Sequence, residues 1–109
     1  MQGVYPDPGA LDVVVSAQPE LRVNAEADTT TCTNESLLLA AIGEDGTILF
    51  RPEYTIEVSS GSNKIIFSHD TALPSGWEYA LVVETDGELV CTDTEGRPLD
   101  PFGSQFYVP

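Results

Sequence analysis

The stretch from Tyr54 to Ser68 reads YTIEVSSGSNKIIFS and contains two short apolar stretches separated by a polar segment. In its first half, Tyr54, Ile56 and Val58 alternate with polar residues. A period of two residues is typical of a β-strand that turns one face to a core and the other to water. The central Ser-Gly-Ser-Asn segment is rich in residues that favour tight turns. The stretch therefore predicts a β-hairpin.

Similar alternations recur along the chain and are separated by turn residues. Tight-turn pairs stand at Asp45-Gly46 and Asp86-Gly87, where glycine tolerates a positive φ. The stretch 37–42 is apolar in both phases, so it is either a central strand covered on both faces or part of a short helix. The patterns predict strands near residues 11–16, 20–26, 37–42, 47–51, 54–59, 64–68, 78–84, 88–92 and 104–108.

These short, regularly spaced strands predict an all-β fold, an antiparallel β-sandwich of about seven to nine strands. The chain has 109 residues, of which 41% are hydrophobic. That length suits one domain with its own core. We therefore expect residues 1–109 to form a single domain.

The charge of the chain excludes some partners. Eighteen acidic residues stand against four Lys and Arg, for a net charge of −14. Such a chain repels nucleic acid phosphates, so we expect no nucleic acid partner. It also has no apolar run of the roughly 18–20 residues that span a bilayer, so we expect no membrane insertion. The acidic excess is either a solvated surface or an adaptation to high salt, calcium or a crowded surface.

Three stretches, taken in order, resemble a known family. They are YPDPGALDV at 5–13, ALPSGWEYALVV at 72–83 and CTDTEGRPL at 91–99. Together with the closing Phe-Tyr-Val at 106–108, their order and spacing resemble the bacterial immunoglobulin-like domain of S-layer and other surface proteins. The chain departs from that family at Asn24-Ala25, where Phe-Ser is usual, and at Arg97, where Asn is common.

The resemblance implies an Ig-like sandwich that is one unit of a longer extracellular chain. It implies a non-catalytic module of a bacterial secreted or cell-surface protein, acting in adhesion, spacing or protein or glycan binding. The alternative is a structural assembly subunit, such as a virion decoration protein or a filament component, which works by self-assembly. A symmetric interface would distinguish an assembly subunit from a surface module.

The two cysteines are interpreted with the help of the resemblance. It places Cys32 where the family has a small buried apolar residue, and Cys91 is in phase with Leu89, so both side chains are expected to point inward. We predict a structural disulfide between Cys32 and Cys91, as suits an extracellular family. The alternative is two separate buried thiols.

The residues that could carry catalysis do not converge in sequence. His69, the sole histidine, stands between Ser68 and Asp70. Neighbours along a strand point to opposite faces, so these three cannot form a triad by adjacency. We expect His69 to lie in an exposed turn and the chain to have no catalytic residues.

Four acids near two reversals are candidate ligands of a weak calcium site, the one cofactor considered: Asp86, Glu88, Asp93 and Glu95. Carboxylate oxygens are the ligands that calcium prefers. The alternative is that these acids stabilise turns and face water, with Asp93 as a structural turn residue.

Three aromatic residues are candidates for contact with a partner: Trp77, Phe102 and Tyr107. Exposed aromatic patches mark interaction surfaces. For Trp77, a place at the rim of the core is the competing interpretation.

Overall fold

The computed structural model describes residues 3–23, 25–59, 63–83, 90–99 and 102–109, with Ser59 and Phe102 described by their main chain only. The described residues contain eight strands and no helix. The strands are β1 (Gly3–Tyr5), β2 (Glu20–Arg22), β3 (Leu37–Ile42), β4 (Ile48–Phe50), β5 (Thr55–Ser59), β6 (Lys64–Ser68), β7 (Trp77–Val83) and β8 (Phe102–Val108).

The strands form two four-stranded sheets, and every neighbouring pair is antiparallel. The first sheet has the order β1-β2-β6-β5, and the second has the order β4-β3-β7-β8. The predicted antiparallel β-sandwich is therefore confirmed. The predicted hairpin is the β5–β6 pair, in which Ser59 lies opposite Lys64.

Alternate residues of both sheets point inward and form one core. In the first sheet Leu21, Ile65 and Phe67 are almost fully buried, and in the second sheet Tyr79 and Phe106 are as well. The rings of Tyr79 and Phe106 stack with their centroids 5.6 Å apart. Burying each large apolar side chain contributes about 1.5–3 kcal/mol, so this shared interior is what holds the two sheets together.

Strand β3 covers the stretch 37–42, for which the sequence allowed either a central strand or part of a short helix. It pairs with β7 along its whole length, from Leu37 opposite Val83 to Ile42 opposite Glu78. It pairs with β4 only at its last two residues, where the register shifts. The strand interpretation of 37–42 is therefore confirmed and the helix interpretation is wrong.

A tyrosine hydroxyl bonds the part of β3 that β4 does not reach. Tyr54 Oη donates to the carbonyl oxygen of Leu37 at 2.8 Å and accepts from the amide of Leu39 at 3.1 Å. Buried main-chain groups need such partners. Tyr54 thus replaces a strand partner at this edge.

The N-terminal segment differs most from prediction. Residues 11–16 form no strand, because the chain here passes from the second sheet towards the first. The amide of Val13 donates to the Tyr107 carbonyl of β8 at 3.2 Å, and the Val15 carbonyl accepts from the amide of Leu73 at 2.9 Å. The amide of Ala17 donates to the Val14 carbonyl at 3.1 Å, so Val15 makes its contact from within a turn.

Other strands differ as well. Strand β2 ends at Arg22 instead of continuing to residue 26, β4 is shorter than the predicted 47–51, β8 begins at residue 102 instead of 104, and β1 was not predicted. Of the predicted strand 88–92, residues 88 and 89 lie outside the described part of the chain, and Thr92 takes part only in an isolated bridge.

One buried hydroxyl yields a stability prediction. Ser104 lies on β8 opposite Leu81, is 6% exposed, and its hydroxyl has no hydrogen-bond partner among the described residues. Removing an unsatisfied buried polar group is neutral to stabilising. We expect Ser104→Ala to raise the free energy of unfolding in urea by up to about 1 kcal/mol.

Ser36 is the matched control, because its buried hydroxyl donates to the Thr31 carbonyl at 2.7 Å and accepts from the Thr33 amide at 3.1 Å. Ser36→Ala should lower the free energy of unfolding by about 1 kcal/mol. Equal losses in both variants would contradict the assignment of Ser104.

Candidate functional site

The two connecting segments 25–36 and 90–99 lie at the same end of the second sheet. The first leads into β3 at Leu37, which lies opposite Val83 at the end of β7. The second belongs to the β7–β8 connection, and Val83 lies opposite Phe102 at the start of β8. The topology therefore brings the two connections together, and we call them the linked connections.

A disulfide joins the linked connections. Cys32 and Cys91 are bonded across a sequence separation of 59 residues, with their Cα atoms 4.3 Å apart. Both residues are buried, at 3% and 0% exposure. The predicted disulfide is confirmed, and the alternative of two separate thiols is wrong.

Main-chain bonds extend the contact beyond the disulfide. The amide of Asp28 donates to the Thr92 carbonyl at 2.9 Å, and the amide of Thr94 donates to the Glu26 carbonyl at 3.0 Å. The Thr31 hydroxyl oxygen accepts from the Thr92 amide at 3.0 Å. These bonds make a short antiparallel ladder outside both sheets, so the linked connections form one hydrogen-bonded unit.

Asp93 organises the turn that follows the ladder. Its carboxylate accepts from the amides of Glu95 at 2.9 Å and Arg97 at 3.0 Å, and from Arg97 Nε at 3.1 Å. Gly96 within the turn has a φ of 85°, which favours glycine. The hydrogen bond from the Arg97 amide, above all, holds the pKa of Asp93 below its ordinary value, against an opposing effect of burial.

The structure describes two of the four candidate calcium ligands. Asp93 and Glu95 both contact Arg97, Glu95 through an ion pair with the guanidinium, while Asp86 and Glu88 lie outside the described residues. Among the residues that the structure describes, no three His, Cys, Asp or Glu side chains form a group that could hold a metal ion. Calcium binding by these four acids stays a prediction.

The three candidate aromatics do not share one position: Trp77 and Tyr107 lie in neighbouring pairs of the β7–β8 ladder on opposite faces, and the main chain of Phe102 lies at its other end. Trp77 pairs with Val108 at one end of the β7–β8 ladder, and the main chain of Phe102 pairs at the other end. Trp77 is 40% exposed, and its ring packs edge-on against Phe50 with centroids 5.4 Å apart, so it lies at the rim of the core. Tyr107 lies opposite Glu78, on the face of the sheet turned away from the core.

His69 does not lie in an exposed turn, and that expectation is wrong. The residue is 8% exposed, and its ring nitrogens lie 2.7 Å from the Thr71 carbonyl and 2.5 Å from the Ala17 carbonyl. The Gln18 side chain bonds both the amide and the carbonyl of His69. These hydrogen bonds hold residues 15–19 against the segment that follows β6.

An open cleft of about 630 Å³ lies beside His69 and was not predicted from the sequence. Its polar walls include Glu35, Glu53 and Asp70. Arg51 also lines it, and its guanidinium donates to the Asn34 carbonyl and the Tyr54 hydroxyl. These residues come from three separate connections and share no sequence motif that could have revealed them.

Comparison with known proteins shows the fold. No protein-family model matches the chain, and no curated protein sequence does. The crystal structure of the S-layer protein rSbsC(31-844) matches 91% of this chain at 18% identity with a TM-score of 0.60. The structure of domains 1-6 of surface layer protein SbsC matches 96% at 17% identity with a TM-score of 0.61. This chain spans 13% of the length of each of those two structures. At these identities the likeness is one of fold.

The described part of the chain contains no helix that is long and apolar enough to span a bilayer.

The disulfide yields the first prediction for this site. In the chain-entropy picture, closing a loop of this length stabilises the folded state by about 4 kcal/mol. We expect the double variant Cys32→Ala, Cys91→Ala to lose most of that amount in urea unfolding. Reductant should destabilise the wild type similarly and leave the double variant unchanged. Wild-type melting that does not respond to reductant would contradict the prediction.

Asp93 yields a prediction about pH. Because its pKa is lowered on folding, its carboxylate stabilises the folded state above the ordinary aspartate pKa, and this contribution is lost as pH falls through the lowered value. The melting temperature of Asp93→Asn should therefore lie below that of the wild type near pH 6, and the gap should narrow as the pH falls below the ordinary aspartate pKa. Asp12→Asn, an exposed position with the same charge change, is the control. A gap that stays constant with pH would refute the role of the carboxylate.

Proposed function

We propose that this chain is a non-catalytic structural module of a bacterial cell-surface protein, and that it spaces or joins neighbouring domains. The observation that carries the proposal is the structural match. Almost the whole chain superposes on a portion of an S-layer protein that is a small fraction of that protein's length. A unit of this size within a long chain is what a repeated surface module requires.

The strand order supports an Ig-like assignment. In an immunoglobulin domain, strands A, B, E and D form one sheet, and C and its neighbour C′ join F and G in the other. Lettered in chain order, the first sheet here is A-B-E-D and the second is C′-C-F-G. The disulfide departs from the antibody pattern, because Cys32 and Cys91 lie in the linked connections and not on strands B and F.

The disulfide also supports a location outside the cytoplasm. Disulfides persist in oxidising compartments and are rare where cellular thiols keep cysteines reduced. Both cysteines of the chain take part in this disulfide, so neither is a free thiol.

The contacts of the two cysteines and of the sole histidine support a non-catalytic role. Nucleophilic catalysis requires a nucleophile within reach of a base. Here the cysteines form a disulfide, and the ring of the sole histidine faces main-chain carbonyls. Adhesion and glycan binding remain finer proposals within the same role. The virion alternative receives no support from the comparisons.

Protease accessibility on intact source cells tests the proposal. With an antiserum against this chain, we expect proteinase K added outside the cells to remove the antigen, and a cytoplasmic control protein to survive. Lysis directly into denaturant that contains an alkylating reagent should leave Cys32 and Cys91 unmodified, because they are bonded to each other. An antigen that resists protease until lysis, or that carries two alkylated thiols, would refute the surface location.

A further inference from the structure

The position of His69 is fixed by its main chain. The residue follows β6 directly and is 8% exposed. The Gln18 side chain accepts from the His69 amide at 2.8 Å and donates to the His69 carbonyl oxygen at 3.0 Å. This pair of hydrogen bonds joins the histidine to residues 15–19 on both sides of its Cα atom and so positions the ring.

Both ring nitrogens of His69 face acceptors. Nδ1 lies 2.7 Å from the Thr71 carbonyl oxygen, and Nε2 lies 2.5 Å from the Ala17 carbonyl oxygen. A neutral imidazole has one N–H donor and one nitrogen lone pair, whereas the imidazolium has two donors. Either neutral tautomer would therefore direct a lone pair at a carbonyl oxygen. The doubly protonated ring alone satisfies both contacts, and their short distances suit a charged donor.

The charged groups around His69 also favour a positive ring. Residues 15–19 and 71–76, which lie against it and after it, contain no ionisable side chain. The ionisable groups that line the cleft beside it are three carboxylates, one guanidinium and one phenol: Glu35, Glu53, Asp70, Arg51 and Tyr54. Nearby opposite charges favour the charged form of a group. The negative potential of a chain with a net charge of −14 acts in the same direction.

We propose that His69 is a pH-sensitive latch, which as an imidazolium donates to the Ala17 and Thr71 carbonyls and clamps residues 15–19 to the segment after β6. Loss of one proton replaces one of the two hydrogen bonds with a repulsive contact between a lone pair and a carbonyl oxygen. Residues 15–19 are then held less firmly. Because they lead into β2 from the segment that bonds β8, the latch acts on a connection between the two sheets. This device goes beyond the proposed structural role and does not depend on it.

Urea unfolding of the full chain between about pH 6 and about pH 8 tests the latch by the sign of its pH dependence. A folded state that binds a proton more tightly than the unfolded chain is stabilised at low pH and loses that stability as the pH rises. We expect the ratio of folded to unfolded chain to fall roughly tenfold over this range, a change of about 1.4 kcal/mol. A ratio that stays constant, or that rises as it does for a histidine buried in its neutral form, would overturn the proposal.

His69→Gln is the matched variant. His69 is the sole histidine and both cysteines are bonded to each other, so no other side chain ordinarily titrates in this range. A glutamine amide can donate to one of the two carbonyls but neither gains nor loses a proton. The variant should therefore be less stable than the wild type near pH 6 and should lose most of the pH dependence. A variant with the wild-type pH dependence would assign it to another group and overturn the latch.

NMR on the wild type tests the protonation of the ring directly and needs no variant. The nitrogen-15 shifts of the ring distinguish the imidazolium from the two neutral tautomers. We expect the ring to keep both protons to a higher pH in the folded chain than in the same chain unfolded in urea. A folded ring that becomes neutral at the same pH as the unfolded chain, or at a lower pH, would contradict the proposal.

Amide hydrogen exchange locates the loosened segment. The Leu73 amide donates to the Val15 carbonyl at 2.9 Å, inside the latched contact, and the Asp28 amide donates to the Thr92 carbonyl at 2.9 Å in the linked connections. After correction for intrinsic rates, the protection of Leu73 should fall severalfold more than that of Asp28 between about pH 6 and about pH 8. Equal changes at the two amides would rule out a local action on residues 15–19. These experiments use the purified chain, so their failure leaves the surface location, tested with protease, untouched.

Discussion

The register of β3 against β7 is the constraint on which the rest of the structure depends. Leu39 lies opposite Leu81 in the core, and Ala40 lies opposite Ala80 on the outer face. A shift of one residue in a strand exchanges its two faces. In most antiparallel strands a polar outer face prevents such a shift, because it would bury polar groups. Strand β3 is apolar on both faces, so side-chain polarity alone does not define its position.

Contacts outside the β3–β7 ladder define that position instead. The Tyr54 hydroxyl bonds main-chain groups of Leu37 and Leu39, and a shift by one residue would present it with groups that point the other way. The Cys32–Cys91 disulfide ties the chain before β3 to the chain after β7. Both contacts act at the Leu37–Val83 end of the strand pair, and they join it to the residue before β5 and to the linked connections. The same register then determines which residues form the core and which point outward.

Much of this fold could be predicted from local pattern, and the remainder depends on contacts distant in sequence. Strands β5 to β8 have alternating residues and clear turns, so period and turn chemistry sufficed. The segment 11–16 has the composition of a strand but divides its hydrogen bonds between Tyr107 and Leu73. In the sequence His69 resembles a turn residue, but in the structure residues 15–19 cover it. The run 37–42 did carry a signal, since an apolar stretch in both phases indicates a strand covered on both sides, and its outward residues Ala40 and Ile42 are buried, at 3% and 8% exposure.

The molecule thus separates its roles in space. The linked connections are joined covalently and by hydrogen bonds, whereas the described outward positions of the second sheet are mostly apolar, with Glu78 as their one charged residue. Both depend on the β3–β7 register, which NMR measures directly. In a nuclear Overhauser spectrum of labelled protein, alternate pairs in the ladder from Leu37–Val83 to Ile42–Glu78 should show Hα–Hα cross-peaks, since residues of the non-hydrogen-bonded pairs lie closest. Cross-peaks displaced by one residue, such as Leu39 to Ala80, would contradict the account.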